Sequence, residues 1–279
     1  MDVPTAPRRP RGLVRRLAAR HGDHPLVRGL AGLGRTITDT FDVPNHDLRS
    51  NGEAGLLRAI GPAARVVIDV GAFEGEWALE AARHCPDATV YCFELVGANR
   101  ERLLAAVGGH PRIVVAGCGL AEAAGERAVK HYPDAPWVSS LCDFPHDGRA
   151  EWRSEPVDSG DAWLAANGDP AVDLLKLDTE GAEHLVLRGF GSALARGRIA
   201  AVQFEYGRVN AVTGFLLRDL YGLLGSYGFV TGRLRRGGTR FAPYRFEDED
   251  FRGPNYLAVR SDRADLVELL GRGRSRHRG

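Results

Sequence analysis

The chain has 279 residues, 44% of them hydrophobic and 26% charged, a profile that suits one large α/β domain with short appendages. Its net charge of +1 gives no global attraction to nucleic acid or to a membrane, and no stretch is long and apolar enough to span a bilayer. The four cysteines, Cys85, Cys92, Cys118 and Cys142, lack both CxxC pairing and histidine partners at zinc spacing, so reduced thiols are expected and no metal centre.

Arginines crowd the two ends of the chain: Arg8, Arg9, Arg11, Arg15, Arg16 and Arg20 at the start, Arg272, Arg274, Arg276 and Arg278 at the finish. Solvated tails are the expectation for such termini. The start lacks the apolar stretch and cleavage site of a secretory signal, and a cytoplasmic location is expected. Residues 1–50 read as an Arg- and Pro-rich extension, with short helices over Leu13 to Ala19 and Leu26 to Leu33. Residues 51–260 read as the main domain, and 261–279 as a basic tail.

The main domain opens with a helix from Glu53, whose Leu56, Leu57 and Ile60 share one face, stopped by Gly61-Pro62. Arg65 to Val70 is a continuous apolar run, as expected of a strand covered on both faces. A turn over Gly71 to Gly75 leads to a helix over Trp77 to Arg83. Ala88 to Phe93 is the second strand, and Asn99 to Val107 the second helix, with Leu103 and Leu104 facing inward. Arg112 to Ala116 is the third strand. Ala121 to Gly168 carries aromatic and polar residues with little periodicity and reads as an inserted lid or substrate wall. Val172 to Leu177 is a fourth strand, followed by a helix from Ala182 to Leu187. Ile199 to Phe204 is a fifth, followed by a helix from Phe215 to Tyr227. Phe229 to Leu234 and Tyr256 to Arg260 close the sheet. Strands alternating with helices predict a mostly parallel sheet with helices on both faces.

Three motifs fall at the carboxyl ends of predicted strands, where open α/β sheets bind their ligands. The first is Asp69-Val70-Gly71-Ala72-Phe73-Glu74-Gly75. Its glycines let the backbone turn sharply and approach a ligand. A dinucleotide site wants GxGxxG to seat a pyrophosphate at a helix N-terminus, whereas here Glu74 repels one. Asp69 and Glu74 instead suit a cationic cofactor such as S-adenosylmethionine, with its sulfonium and ammonium groups. Gly71, Ala72 and Gly75 form the rest of that loop. The second motif is Glu94, about 20 residues past the turn, where a carboxylate accepts both ribose hydroxyls of an adenosine ligand. Gly119 and Leu120, beyond the third strand, complete the expected cofactor set. The third motif is Leu175-Lys176-Leu177-Asp178-Thr179-Glu180-Gly181-Ala182-Glu183-His184, which brings several carboxylates to one edge of the sheet. Glu183 in a first helical turn is explained by the helix dipole. Asp178 and Glu180 are not so explained and are expected where the methyl group meets its acceptor.

On these residues the chain resembles the FkbM family of methyltransferases. The matching stretches are Asn51-Gly52-Glu53 with Leu56-Leu57, Ile68-Asp69-Val70-Gly71-Ala72, Cys92-Phe93-Glu94, Val157-Asp158 with Trp163-Leu164, the block from Leu175 to Glu183, and Asn255-Tyr256-Leu257-Ala258-Val259. Phe73, where the family often carries Asn, and Leu95-Val96, where it usually has Pro, are departures. The resemblance implies a class I, Rossmann-like methyltransferase fold with an N-terminal helical extension. It also implies transfer of a methyl group from S-adenosylmethionine to oxygen, commonly a hydroxyl of a sugar or other natural product and less often a carboxylate.

Methyl transfer from a sulfonium is an in-line displacement that gains from alignment and from a base that removes the hydroxyl proton. The candidate bases are Asp178, then Glu180 and Glu205, with His184 as a lesser one. The same carboxylates suit Mg²⁺ as hard oxygen ligands, although no metal is expected. The expected partner is a small-molecule acceptor, with no nucleic acid and no membrane. Arg233, Arg235, Arg236 and Arg240 are read as covering an exposed edge or meeting an anionic substrate. Two other functions share the architecture: a nicotinamide-linked oxidoreductase, which the missing GxGxxG disfavours, and a non-catalytic cofactor-binding module.

Overall fold

A computed structural model describes residues 20–21, 23–42, 45–143 and 146–271. The expected helix over Leu13 to Ala19, most of the N-terminal arginines and all of the C-terminal ones lie outside these residues. The chain divides into two compact units, residues 1–44 and 45–279. In the first, helix α1 spans Pro25–Asp42, longer at both ends than the predicted Leu26 to Leu33. Its Leu26, Leu30 and Leu33 are exposed.

The second unit begins with α2 (Glu53–Ile60), then β1 (Val66–Val70), α3 (Glu76–His84), β2 (Thr89–Phe93), α4 (Gly97–Val107) and β3 (Ile113–Val115). Next come β4 (Gly119–Ala121), β5 (Gly125–His131), β6 (Glu151–Ser159), α5 (Gly160–Ala166) and β7 (Leu174–Leu177). The second half holds α6 (Glu183–Gly189), α7 (Gly191–Ala195), β8 (Ala201–Glu205), α8 (Val209–Thr213) and α9 (Leu217–Ser226). It closes with β9 (Phe229–Arg235), β10 (Gly238–Phe241), β11 (Asn255–Arg260) and α10 (Ala264–Gly271).

The large sheet has the order β10-β9-β11-β8-β7-β1-β2-β3. Strands β3, β2, β1, β7 and β8 pair in parallel. Strand β11 is antiparallel to both β8 and β9 and lies between them. This is the class I methyltransferase order, with its reversed strand next to the edge and one extra antiparallel strand, β10, outside it. Burial on both faces explains the apolar runs, because alternate side chains enter different cores. Val67, Val90, Leu174, Ala201 and Leu257 join the core that also takes in α2, α3 and α10. Their neighbours Ile68, Leu175, Val202 and Ala258 join the core with α6 and α9.

Four findings depart from the sequence reading. Leu104 is exposed, and only Leu103 of that pair is buried. The segment after Ala121 is not irregular: β4, β6 and β5 form a separate three-stranded sheet in that order, with β5 and β6 antiparallel over seven residue pairs. Its polar faces hid the alternation, since Glu151 to Ser159 buries only Glu155 and Val157. Phe144, assigned to that wall, lies outside the described residues. Strand β10 was missed because its four residues, Gly-Thr-Arg-Phe, carry no apolar pattern. Residues 264–271, read as part of a basic tail, form α10 because Leu266, Val267 and Leu270 share a face that packs into the core.

Candidate active site

Hydrogen bonds bring the predicted motifs together at the carboxyl ends of β1, β2, β7 and β8. The Gly71 amide donates to the Phe93 carbonyl at 2.8 Å, and the Asp178 amide donates to the Val70 carbonyl at 3.0 Å. Gly71 has φ 80°, and a Cβ there would lie 1.7 Å from the Asp178 carbonyl oxygen. Only glycine permits both the left-handed backbone and this approach, so Gly71 is what allows the first and third motifs to touch.

Two adjoining cavities open at this edge, with about 780 Å³ and about 670 Å³ of empty space including their mouths. Gly71, Phe73 and Asp178 line both cavities.

The first cavity is walled by Phe93, Gly119, Leu120, Pro136 and Trp137, with Glu94 among its polar groups. The Glu94 carboxylate accepts hydrogen bonds from the amides of Phe73 (2.9 Å) and Val96 (3.0 Å). Burial raises its pKa, and those two amide bonds oppose the rise. The carboxylate is thus fixed at the rim of the cavity with lone pairs to spare for hydroxyl donors. The inserted segment supplies one wall. Ser140 donates through its hydroxyl to the carbonyls of Thr179 (3.2 Å) and Glu180 (2.8 Å), pinning residues 139–142 onto the third motif.

The second cavity is strongly acidic, being lined by Glu53, Glu74, Glu76, Asp178 and Glu205 together with Lys176 and His46. Its remaining walls include Ala72, Asn51, Trp77 and Asn255. The Trp77 indole N–H is buried with no hydrogen-bond partner among the described residues. Glu53 is held by Asn51, by Gln203 and by its own amide's bond to Asn51 Oδ1. Such a lobe suits a ligand bearing positive charge.

Lys176 is the cation in the wall of the second cavity. Its ammonium lies 3.0 Å from Asp69 and 3.2 Å from Asp178. Burial works to discharge it, but Asp178, Asp69 and Glu53 outweigh burial and keep it protonated. Asp69, expected to meet the cofactor, is fully buried and lines neither cavity; it anchors Lys176 instead. Glu74 lines the second cavity and stands 3.6 Å from Arg102 at a half-exposed position. Gly75 is outside both cavities, turning the chain into α3 against Leu103 and Val107.

Asp178, Glu180 and Glu205 place carboxylate oxygens within 4.8 Å of one another, a spacing that a hard divalent cation accepts. Burial acts against charge on Asp178, but Lys176 and a hydrogen bond from Glu205 hold its pKa below the ordinary value. Burial and the charges of Asp178 and Glu180 push Glu205 well up. Burial, Asp178 and Glu183 raise Glu180 to about 8. The cluster therefore keeps Asp178 ionised and retains a proton at neutral pH, as closely spaced carboxylates do.

Glu180 has a left-handed backbone, φ 52°, which is costly for a side chain-bearing residue. Glu183 sustains it by accepting from the Thr179 amide (2.9 Å) and hydroxyl (3.0 Å) and from the Gly181 amide (3.3 Å). His184 is directed away from the chemistry: it stacks on Phe215 at 4.5 Å and lines neither cavity. The sequence reading missed Lys176, Ser140, Trp77 and the pair Asn51 and Glu53 as site residues. Lys176 did leave a signal, a lone charge inside an otherwise apolar strand.

The model of the methyltransferase FkbM domain matches residues 69–231, more than half of the chain. The chain belongs to the FkbM methyltransferase family. It is an S-adenosylmethionine-dependent methyltransferase, and its class I sheet and Gly71 turn agree with that membership. A curated relative is the AMB antimetabolite synthetase AmbE of Pseudomonas aeruginosa, 28% identical over 251 residues. That match covers 76% of this chain but only 12% of the synthetase. Among solved structures, the O-methyltransferase TomG of Streptomyces achromogenes is similar at 15% identity and TM-score 0.42, over 74% of this chain and 78% of that one. A putative caffeoyl-CoA O-methyltransferase of Staphylococcus aureus is similar at 10% identity and TM-score 0.41, over 88% and 98%. Among the described residues no helix is long and apolar enough to cross a membrane.

Proposed function

We propose that the enzyme methylates a hydroxyl oxygen of a small molecule, a sugar or another natural-product scaffold, using the carboxylate cluster to take up the hydroxyl proton. The observation that carries this reading is the meeting of Asp178, Glu180 and Glu205 within 4.8 Å where the two cavities join. The residues present fit the cofactor. Glu94 sits at the tip of β2 for the ribose, Gly119 and Leu120 border the same cavity, and the acidic second lobe suits an ammonium and a sulfonium. When bound, S-adenosylmethionine supplies an electrophilic methyl group on sulfur.

Asp178 borders both cavities and stays ionised, so it orients the acceptor hydroxyl. The proton then passes to the Glu180 and Glu205 part of the cluster, whose proton affinity is raised. A base with a pKa near the working pH is the efficient choice, and Glu180 at about 8 meets that condition. The synthetase name of the AmbE relative accords with a natural-product acceptor.

The test is to incubate the enzyme with S-adenosylmethionine and a panel of sugars, hydroxy acids and polyketide alcohols, and to locate the transferred methyl by mass spectrometry. Methylation on oxygen is expected. Methylation confined to nitrogen or carbon, or to nucleic acid, contradicts the reading. Chelator is expected to leave turnover unchanged; loss of activity that Mg²⁺ restores would reassign the carboxylates to cation binding.

A further inference from the structure

Helix α2 borders more than the acidic cavity. Asn51 and Glu53 line that cavity, whereas Gly52, Gly55 and Ala59 line a separate groove between α2, the β9–β10 hairpin and α10. The groove has about 2250 Å³ of empty space including its mouth. Its chemistry is divided. Arg49, Arg58, Arg235 and Arg236 line it, and none of these four guanidinium groups has an ion-pair partner among the described residues. Two acids, Asp265 and Glu268, also line the groove, and Asp265 is already paired with Arg263 at 2.8 Å. Between the charges lies an aliphatic floor, with Leu56 and Leu270 buried and Leu269 48% exposed.

Gly55 adds an independent observation. It is the third residue of α2, and glycine is a poor helix former. Nothing lies within 4 Å of the position a Cβ would take, so internal crowding does not require it. Its effect is to leave the backbone of α2 bare on the groove side, where another backbone can approach closely.

We propose that this groove docks an acidic amphipathic helix of a partner protein, lying along α2. The leucine floor and the bare Gly55 receive its apolar row, and the four arginines receive its carboxylates. This is the helix-in-groove mode of recognition with charge complementarity setting orientation. Nucleic acid fits less well, because the groove offers no aromatic side chain on which a base stacks. The proposal does not depend on which acceptor the enzyme methylates.

The experiment uses the full chain and a fluorescent synthetic helix with leucines at every third and fourth position and glutamates between them. Anisotropy is read against a scrambled peptide of the same composition and against a single-stranded oligonucleotide. The helix is expected to bind more tightly than either control, with affinity falling as salt rises. Arg58→Glu combined with Arg236→Glu should weaken it by roughly tenfold or more. Gly55→Leu should weaken it comparably while leaving Tm equal or higher, since leucine is the better helix former and fills open space. Binding of S-adenosylmethionine should be the same in all variants. Equal binding of the scrambled peptide, tighter binding of the oligonucleotide, or full affinity in both variants would overturn the proposal.

Discussion

The two cavities at the sheet edge share Gly71, Phe73 and Asp178, yet they are built in opposite ways. The first has mostly apolar walls; of its carboxylates, Glu94 is fixed by backbone amides, and Asp178 and Glu180 stand at the junction with the second. The second gathers five carboxylates around one lysine. A cavity of the first kind holds a flat, neutral group by shape, whereas one of the second kind handles charge and protons. The division of labour follows: the first cavity takes the adenosine of the cofactor, and the carboxylates at the junction govern rate.

The largest effect expected from that division is on turnover. Replacing Asp178 by Asn, or Glu180 by Gln, should lower the rate by about 10²–10⁴-fold, the usual worth of general-base assistance, with cofactor affinity nearly unchanged in calorimetry. Parental rates in both variants would collapse the distinction between the cavities. Lys176→Met tests the cation of the second cavity. Removing one partner of a buried ion pair costs about 3–5 kcal/mol, here by leaving Asp69 and Asp178 uncompensated, and denaturant titration should show a loss of that order.

The pH profile sharpens the comparison further. Glu180 accepts a proton only when ionised, and its pKa is raised to about 8. Turnover should therefore rise with pH and level off above that value, so that the rate at pH 6 is roughly a hundredfold below the plateau. Cofactor affinity, which rests largely on the adenosine contacts in the first cavity, should change far less over the same range. Glu94→Gln should do the reverse, weakening S-adenosylmethionine by roughly 1–3 kcal/mol as charge-assisted bonds to the ribose are lost, with a smaller change in the rate at saturation.

The smallest effect is on stability. Because the folded-state pKa of Glu180 lies above its ordinary 4.5, the native state binds more protons than the unfolded chain between the two values. Stability thus declines as pH rises through that window. Glu180→Gln should raise Tm by a few degrees at pH 8.5 and by little at pH 5.

The contrast also explains what the sequence disclosed. The first cavity rests on short local signals, a glycine turn and an acid at a strand tip, and Gly71 and Glu94 line it together with Gly119 and Leu120. Asp178, Glu180 and Glu205 were legible for the same reason, since each follows an apolar run. The second cavity joins His46, Asn51, Glu53 and Asn255 from segments far apart in the chain, and no local pattern announces that meeting. Asp69 shows the other failure. Its place beside the glycine turn was right, but the paired Lys176 draws its carboxylate under the sheet edge, a contact visible only in three dimensions. The β5–β6 pairing was hidden because both faces of these strands are largely polar, β6 burying only Glu155 and Val157, which removes the alternation that marks a strand.

The most direct test is a crystal structure with S-adenosylhomocysteine. The account predicts the ribose hydroxyls on Glu94, the adenine beside Gly119 and Leu120, and the sulfur at the Gly71 and Asp178 junction. From there one acceptor oxygen can stand ~3 Å from the methyl position and ~3 Å from a carboxylate. A cofactor whose ribose lies away from Glu94, or whose sulfur is too far from Asp178, Glu180 and Glu205 for one oxygen to bridge, would contradict it.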